Sequence, residues 1–188
     1  QNSNKSYENL LDVLQRAGLA VLWVDNQSGC KGVCDRVHRA NTQATDKAAA
    51  TNSDQATRLT PEQARALCTD GECVDMALME GLDDRINALP ADKRQHGVVL
   101  VLHQMGSHGP AYYKRSAPEA KQFLPECRSS ALQECAQQHI VNAYDNSIVA
   151  TDTLLDSTIN WLQTQSQQAQ TAMIYVADHG ESLGENNL

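Results

Sequence analysis

Long apolar runs are missing from this sequence. Its longest purely aliphatic stretch, residues 98–102, falls far short of the roughly 20 residues that a membrane-spanning helix needs. An apolar leader is missing too, since the chain opens on Gln1-Asn2-Ser3-Asn4-Lys5, and Gln1 in place of Met is expected of a processed or excised piece. Positive charge is in short supply: 15 Lys and Arg stand against 23 Asp and Glu, for a formal net charge of -8. That balance argues against a nucleic-acid partner, whose phosphates call for clustered cations. It leaves room for an anionic substrate held by a few local cations. No G-x-S-x-G elbow marks a nucleophile, no glycine-rich loop of the Walker type marks a phosphate, and no internal repeat is found. Aromatic residues make up only 4%, although the 41% hydrophobic content is ordinary for a globular chain.

Cysteine is present, and in a pattern. The six cysteines form three close pairs, Cys30 with Cys34, Cys68 with Cys73 and Cys127 with Cys135. Local, even pairing reads as three small-loop disulfides and an oxidising compartment. A zinc ribbon would need paired C-x-x-C knuckles, which these spacings do not supply. Loops this short gain little from chain entropy, so the bridges are expected to pin loop shape.

The length of 188 residues suits one domain with a sizeable core. Residues 7–17 have helical periodicity, with Leu10, Leu11 and Leu14 on one face and Gly18 as a stop. Residues 20–24 are a continuous apolar run, the signature of a strand buried on both faces, and end in Asp25. Residues 41–60 read as a surface loop or weak helix, and Pro61 opens a short helix reaching Leu67. Residues 74–89 predict a second amphipathic helix, and residues 97–102 a second buried strand running into His103. A long helix is expected over residues 133–162, with Ile140, Ala143, Tyr144, Ile148 and Ile159 on its apolar face. Residues 172–177 predict a third strand. Strands alternating with helices indicate an α/β fold with a largely parallel sheet flanked by helices. In such sheets ligands bind beyond the carboxyl ends of the strands.

The third run ends in Asp178-His179-Gly180-Glu181. A carboxylate and an imidazole offer the oxygen and nitrogen donors that zinc accepts, and Gly180 lets the backbone turn behind them. The bland alternative is an aspartate cap beside a surface histidine. His108, in Gly106-Ser107-His108-Gly109, can approach a ligand closely, for a phosphate oxygen or for acid–base work, or it is an idle loop histidine. His103, directly at a strand end, reads as a structural histidine hydrogen-bonded in the core. Lys31, on a tight loop between Cys30 and Gly32, holds an anion or is merely solvated. Glu181 orients a metal-bound histidine or is a helix N-terminal carboxylate. His38, His96 and His139 read as surface residues.

Several motifs together carry a family resemblance: Trp23-Val24-Asp25-Asn26-Gln27-Ser28, Lys31-Gly32-Val33, His103 through Tyr113, Asn142-Ala143-Tyr144-Asp145-Asn146, and Asp178 through Asn186. They resemble the periplasmic catalytic domain of the lipid A phosphoethanolamine transferases, which include the colistin-resistance enzymes, within the alkaline phosphatase and sulfatase superfamily. The resemblance implies that Asp178 and His179 are zinc ligands. It implies that Lys31 and His108 meet the phosphoryl group, with Gln27, Ser28 and Glu181 nearby. The three cysteine pairs match the family's local disulfides. Members are anchored in the bacterial inner membrane by an N-terminal helical domain. On its periplasmic face they move phosphoethanolamine from phosphatidylethanolamine to lipid A through a phospho-threonine.

The family's nucleophilic threonine and a glutamate ligand precede the segment aligned with Gln1. A further substrate-binding histidine follows the segment aligned with Leu188. Residues 1–188 are therefore expected to be part of one periplasmic catalytic domain, inactive alone and weak in binding zinc. The rival readings are another hydrolase of the superfamily, a sulfatase or phosphodiesterase, and a non-catalytic binding module.

Overall fold

The computed structural model of the chain describes residues 7–27, 29–42 and 59–184. They divide into two compact units, one built on Gln1–Cys73 with Ala77–Gln104, the other on Val74–Met76 with Met105–Leu188.

The first unit opens with helix α1, Leu10–Arg16. The helix starts later than periodicity suggests because Asn9 caps it: the Asn9 side chain accepts from Leu11 and Asp12 backbone N–H, and Asp12 reaches back to Asn9 N. Leu11 is buried, whereas Leu10 is 69% exposed, so the inner face is narrower than the leucine pattern implies. The Asp12 carboxyl is pulled down to about 2, first by its bond to Arg36 and then by the Asn9 backbone. Gly18 follows at φ +97, a conformation that suits glycine, and ends the helix where the sequence places the stop.

Strand β1, Ala20–Asp25, is buried along its whole length. It lies at the centre of a parallel sheet, between β2, His38–Asn41, and an edge strand that comes later in the chain, Val98–His103. Both faces are covered, which is why the run carries no polar alternation. Helix α2 spans Pro61–Leu67, with Thr60 capping it and Pro61 in the first turn, as expected. A small hairpin comes next, β3, Cys68–Thr69, and β4, Glu72–Cys73, with Asp70 and Gly71 both at positive φ in its turn. The predicted helix over 74–89 is divided: a 3₁₀ turn, Asp75–Met79, then α3, Leu82–Asn87. Gly81 at φ +62 separates them, because a left-handed residue cannot continue a right-handed helix. After α4, Ala91–Arg94, the edge strand is β5, Val98–His103. It is only half-buried, so the apolar run there does not report the full burial expected of it.

The second unit is organised by α5, Gln137–Gln165, starting four residues later than its periodicity suggests. Its buried face is largely polar, with Asn142, Asn146, Ser147, Thr151 and Thr158, while Ile148 and Ile159 are nearly half exposed. The asparagines are buried because they satisfy a loop: Asn146 Oδ1 accepts from Gln122 and Phe123 N–H at 2.8 and 2.9 Å, and Asn142 Nδ2 donates to Pro125 O at 2.7 Å.

The predicted strand over 172–177 is not formed. These residues are exposed, Ile174 to 89% and Val176 to 76%, and no ladder includes them. Among the described residues no strand pairs with them, and an apolar run alone does not make a strand. The place of a third strand is taken by His38–Asn41, which no apolar run announces. Most of the expected surface loop over 41–60 lies outside the described residues.

All three disulfides form as the spacing predicts, Cys30–Cys34, Cys68–Cys73 and Cys127–Cys135. Among the described residues no helix is long and apolar enough to cross a membrane.

Candidate functional site

In the first unit the parallel register sets Asp25 beside His103 at the ends of β1 and β5. Asp25 is 6% exposed. Its Oδ1 lies 2.5 Å from His103 Nδ1 and accepts from Trp23 Nε1 at 3.3 Å, and its Oδ2 accepts from Gly29 N at 3.0 Å. The carboxylate thus gathers an imidazole, an indole and the backbone of the adjoining loop. His103 is hydrogen-bonded to Asp25 as its position implies, but its side chain is 29% exposed rather than in the core.

The loop held by Asp25 carries Lys31. Gly29, Lys31 and Gly32 all have positive φ, +112, +49 and +92. Lysine in this region is strained by about 1 kcal/mol. The Cys30–Cys34 bridge closes the turn and leaves Lys31 exposed. Gln27 gives its amide to Gln104 O at 2.9 Å. Ser28 lies outside the described residues.

The second unit carries His108, Asp178, His179 and Glu181. The His108 turn is held on every side. Asp75 Oδ1 and Oδ2 accept from Met105 N and Gly106 N at 2.8 and 2.7 Å. The Ser107 and Ser147 hydroxyls are 2.8 Å apart. Buried Arg115 donates from Nε to His108 O at 3.0 Å. Gly109 N donates to Glu181 Oε1 at 3.2 Å, and Tyr112 Oη donates to Glu181 Oε2 at 3.4 Å. Glu181 therefore ties the 178–181 segment to the His108 turn. Gln137 Nε2 secures the same segment further on, donating to Leu183 O at 2.6 Å.

A Cβ on Gly109 would stand 2.7 Å from Tyr112 Oη and 2.8 Å from its Cζ. Tyr112 is 2% exposed and packs edge-on against Tyr144, ring centroids 5.6 Å apart, so the ring has nowhere to go. Gly109→Ala should cost about 1–3 kcal/mol of stability, read by denaturant unfolding. A loss under about 0.5 kcal/mol would show that the ring yields freely.

Asp178 and His179 do not stand at a strand end; their side chains are 92% and 57% exposed. His179 Nδ1 lies 2.7 Å from Gly180 O, and a carbonyl can only accept, so Nδ1 carries a proton there. That Nε2 lies 3.7 Å from Asp178 Oδ2. The His179 pKa is raised, chiefly by the Gly180 hydrogen bond and then by the Asp178 charge. His108 repeats the arrangement: its Nδ1 lies 2.7 Å from Gly109 O, and its ring centroid is 6.5 Å from that of His179.

An imidazole fixed through Nδ1 on a carbonyl, with Nε2 turned toward a carboxylate oxygen, is the donor set that zinc accepts. These two residues fit half of a tetrahedral shell. Among the described residues the one compact triad of ligand-type atoms is Cys30, Cys34 and Asp35, and its two sulfurs are joined to each other, so it offers no thiolate.

Sequence reasoning missed Asp75, Arg115 and Ser147. None sits in a recognisable motif, and each acts across a turn of the chain that only folding brings together. Asn146 lies inside the Asn142–Asn146 motif, but its function as a loop anchor carries no sequence signal.

The sulfatase family model matches residues 1–188. The chain is 42% identical over 181 residues to the phosphoethanolamine transferase EptA of Salmonella typhimurium, covering 96% of the chain and 29% of that protein. It is 41% identical over 187 residues to the phosphatidylethanolamine transferase Mcr-1 of Escherichia coli, covering 98% of the chain and 31% of that protein. It thus spans about three tenths of the length of these curated relatives. Among solved structures it resembles the soluble domain of lipooligosaccharide phosphoethanolamine transferase A from Neisseria meningitidis, with a TM-score of 0.72 and 38% identity, over 95% of this chain and 46% of that one.

Proposed function

The chain belongs to the sulfatase family, and from that footing we propose that it is part of a zinc-dependent enzyme that transfers phosphoethanolamine from phosphatidylethanolamine to lipid A. One observation carries the site: His108 and His179 each set Nδ1 2.7 Å from a glycine carbonyl, their rings 6.5 Å apart, with Asp178 beside the second. The names of the relatives support the substrate class.

Asp178 and His179 would hold the zinc ion, which when bound supplies Lewis-acid polarisation of a phosphoryl oxygen. His108 presents Nε2 to a phosphoryl oxygen and holds or moves a proton there. Its turn is preorganised, so little reorganisation accompanies the charge that develops on that oxygen. Lys31, Gln27 and Ser28 are assigned phosphate oxygens of the headgroups by resemblance. The acidic balance of the chain does not oppose this, because the local cation and the metal decide anion binding. The expected setting is the periplasmic face of the bacterial inner membrane, and the expected phenotype is resistance to polymyxins, colistin among them.

The test is to express the full-length protein in a polymyxin-susceptible bacterium and weigh its lipid A by mass spectrometry. Lipid A should gain a phosphoethanolamine, and the inhibitory concentration of colistin should rise. Unmodified lipid A together with hydrolysis of a sulfate ester would transfer the assignment to a hydrolase of the same family.

A further inference from the structure

We infer that Asp75 is the positioning residue for His108, an inference that rests on the reading of His108 as the histidine that meets the phosphoryl group. Asp75 opens the 3₁₀ turn Asp75–Met79 and is 8% exposed. Its two oxygens accept the N–H groups of two consecutive residues, Met105 at 2.8 Å and Gly106 at 2.7 Å. A carboxylate used in this bidentate way fixes both the place and the tilt of the backbone it holds, and bonds to the ionised acceptor are the stronger kind.

Only a short turn separates this clamp from the imidazole. Gly106 turns at φ +57, and His108 N closes the turn on Met105 O at 3.2 Å. His108 therefore sits on a turn whose first two donors end on Asp75. The far side is held separately, by Arg115 on His108 O and by Glu181 on Gly109 N. Of these anchors Asp75 alone comes from before the turn, 30 residues earlier than Met105. It contacts the backbone of the turn and acts on the chemistry only through His108. A shift of about 1 Å in a catalytic group is enough to cost on the order of 100-fold.

Asp75→Asn keeps the shape and one acceptor oxygen, and sets an amide N–H₂ against a backbone N–H. In the full-length protein it should lower kcat for phosphoethanolamine transfer about 10- to 100-fold while leaving KM within about threefold. The deciding measurement is a cycle with His108→Ala. If Asp75 works through His108, adding Asp75→Asn to His108→Ala should cost less than about twofold more. Two losses that multiply would mean a structural role and overturn the inference. If His108→Ala alone leaves transfer intact, the reading of His108 falls and this inference with it. If His108→Ala impairs transfer and Asp75→Asn does not, only this inference falls. Should Asp75→Asn not accumulate as folded protein, Asp75→Glu, which keeps the charge and displaces the clamp, takes its place in the same cycle.

Discussion

His179→Ala in the full-length protein should lower phosphoethanolamine transfer to lipid A by about 10³-fold or more, equivalent to roughly 4 kcal/mol of transition-state stabilisation. Asp178→Ala should do the same, and the double variant should be little worse than either single one, because donors to one ion act as a unit. Folding should be nearly untouched. Both side chains are largely exposed, and His179 Nδ1 reaches no further than the adjacent Gly180 carbonyl. The expected change in unfolding free energy is within about 0.5 kcal/mol. That separation matters, since a loss of transfer accompanied by a loss of stability would say nothing about the site. A chelator should reproduce the loss in the unaltered protein, and zinc should restore it. His179→Gln is the sharper control, keeping a polar side chain of similar reach without an imidazole. Colistin resistance that survives both Asp178→Ala and His179→Ala would sink the metal reading of the pair.

The backbone around this pair was only partly legible in the sequence. Residues 20–24 and 97–102 are apolar without alternation, and both become parallel strands; coverage on two faces explains the pattern for β1, which is buried throughout, but not for the half-buried β5. Residues 172–177 have the same pattern and form no strand. Burial needs a partner, and a local run cannot specify one. Helical periodicity found α5 but misjudged its inner face. Asn142 and Asn146 are buried in preference to Ile148 because the loop over 122–126 offers backbone donors and carbonyls that only an amide can meet. Gly81 reads as one more helical position until its φ of +62 is known. The cysteine pairs were legible because each bridge is local. Asp75 and Arg115 were not, since the groups they hold belong to a turn distant in sequence or to a main-chain carbonyl, neither of which leaves a trace in spacing.

The loop anchored by Asn146 also contains the charge pair whose disruption should cost most. Lys121 and Glu126 side chains are 4% and 1% exposed. Lys121 Nζ donates to Glu126 Oε1 at 2.5 Å and to Tyr113 O at 2.7 Å. Arg128 Nε adds a bond to the same carboxylate oxygen at 3.2 Å, and Asn146 Nδ2 lies 3.4 Å from the other. One carboxylate thus compensates a buried ammonium, holds an arginine and completes the asparagine that carries the loop. Glu126→Ala removes all of this and leaves the buried Lys121 ammonium with a lone carbonyl. Breaking such a pair from one side costs about 3–5 kcal/mol, measurable as a lower denaturant midpoint at unchanged slope. Glu126→Gln should cost less, because the amide oxygen still accepts from Lys121. The instructive variant replaces both partners, Lys121→Met with Glu126→Leu. Apolar groups of similar volume carry no desolvation penalty, so the double variant should recover most of what Glu126→Ala loses. Asn146 then keeps its bonds to Gln122, Phe123 N and Phe123 O, enough to hold the loop. A Glu126→Ala protein within about 1 kcal/mol of the original would mean that water reaches Lys121 and that the pair is not buried in solution.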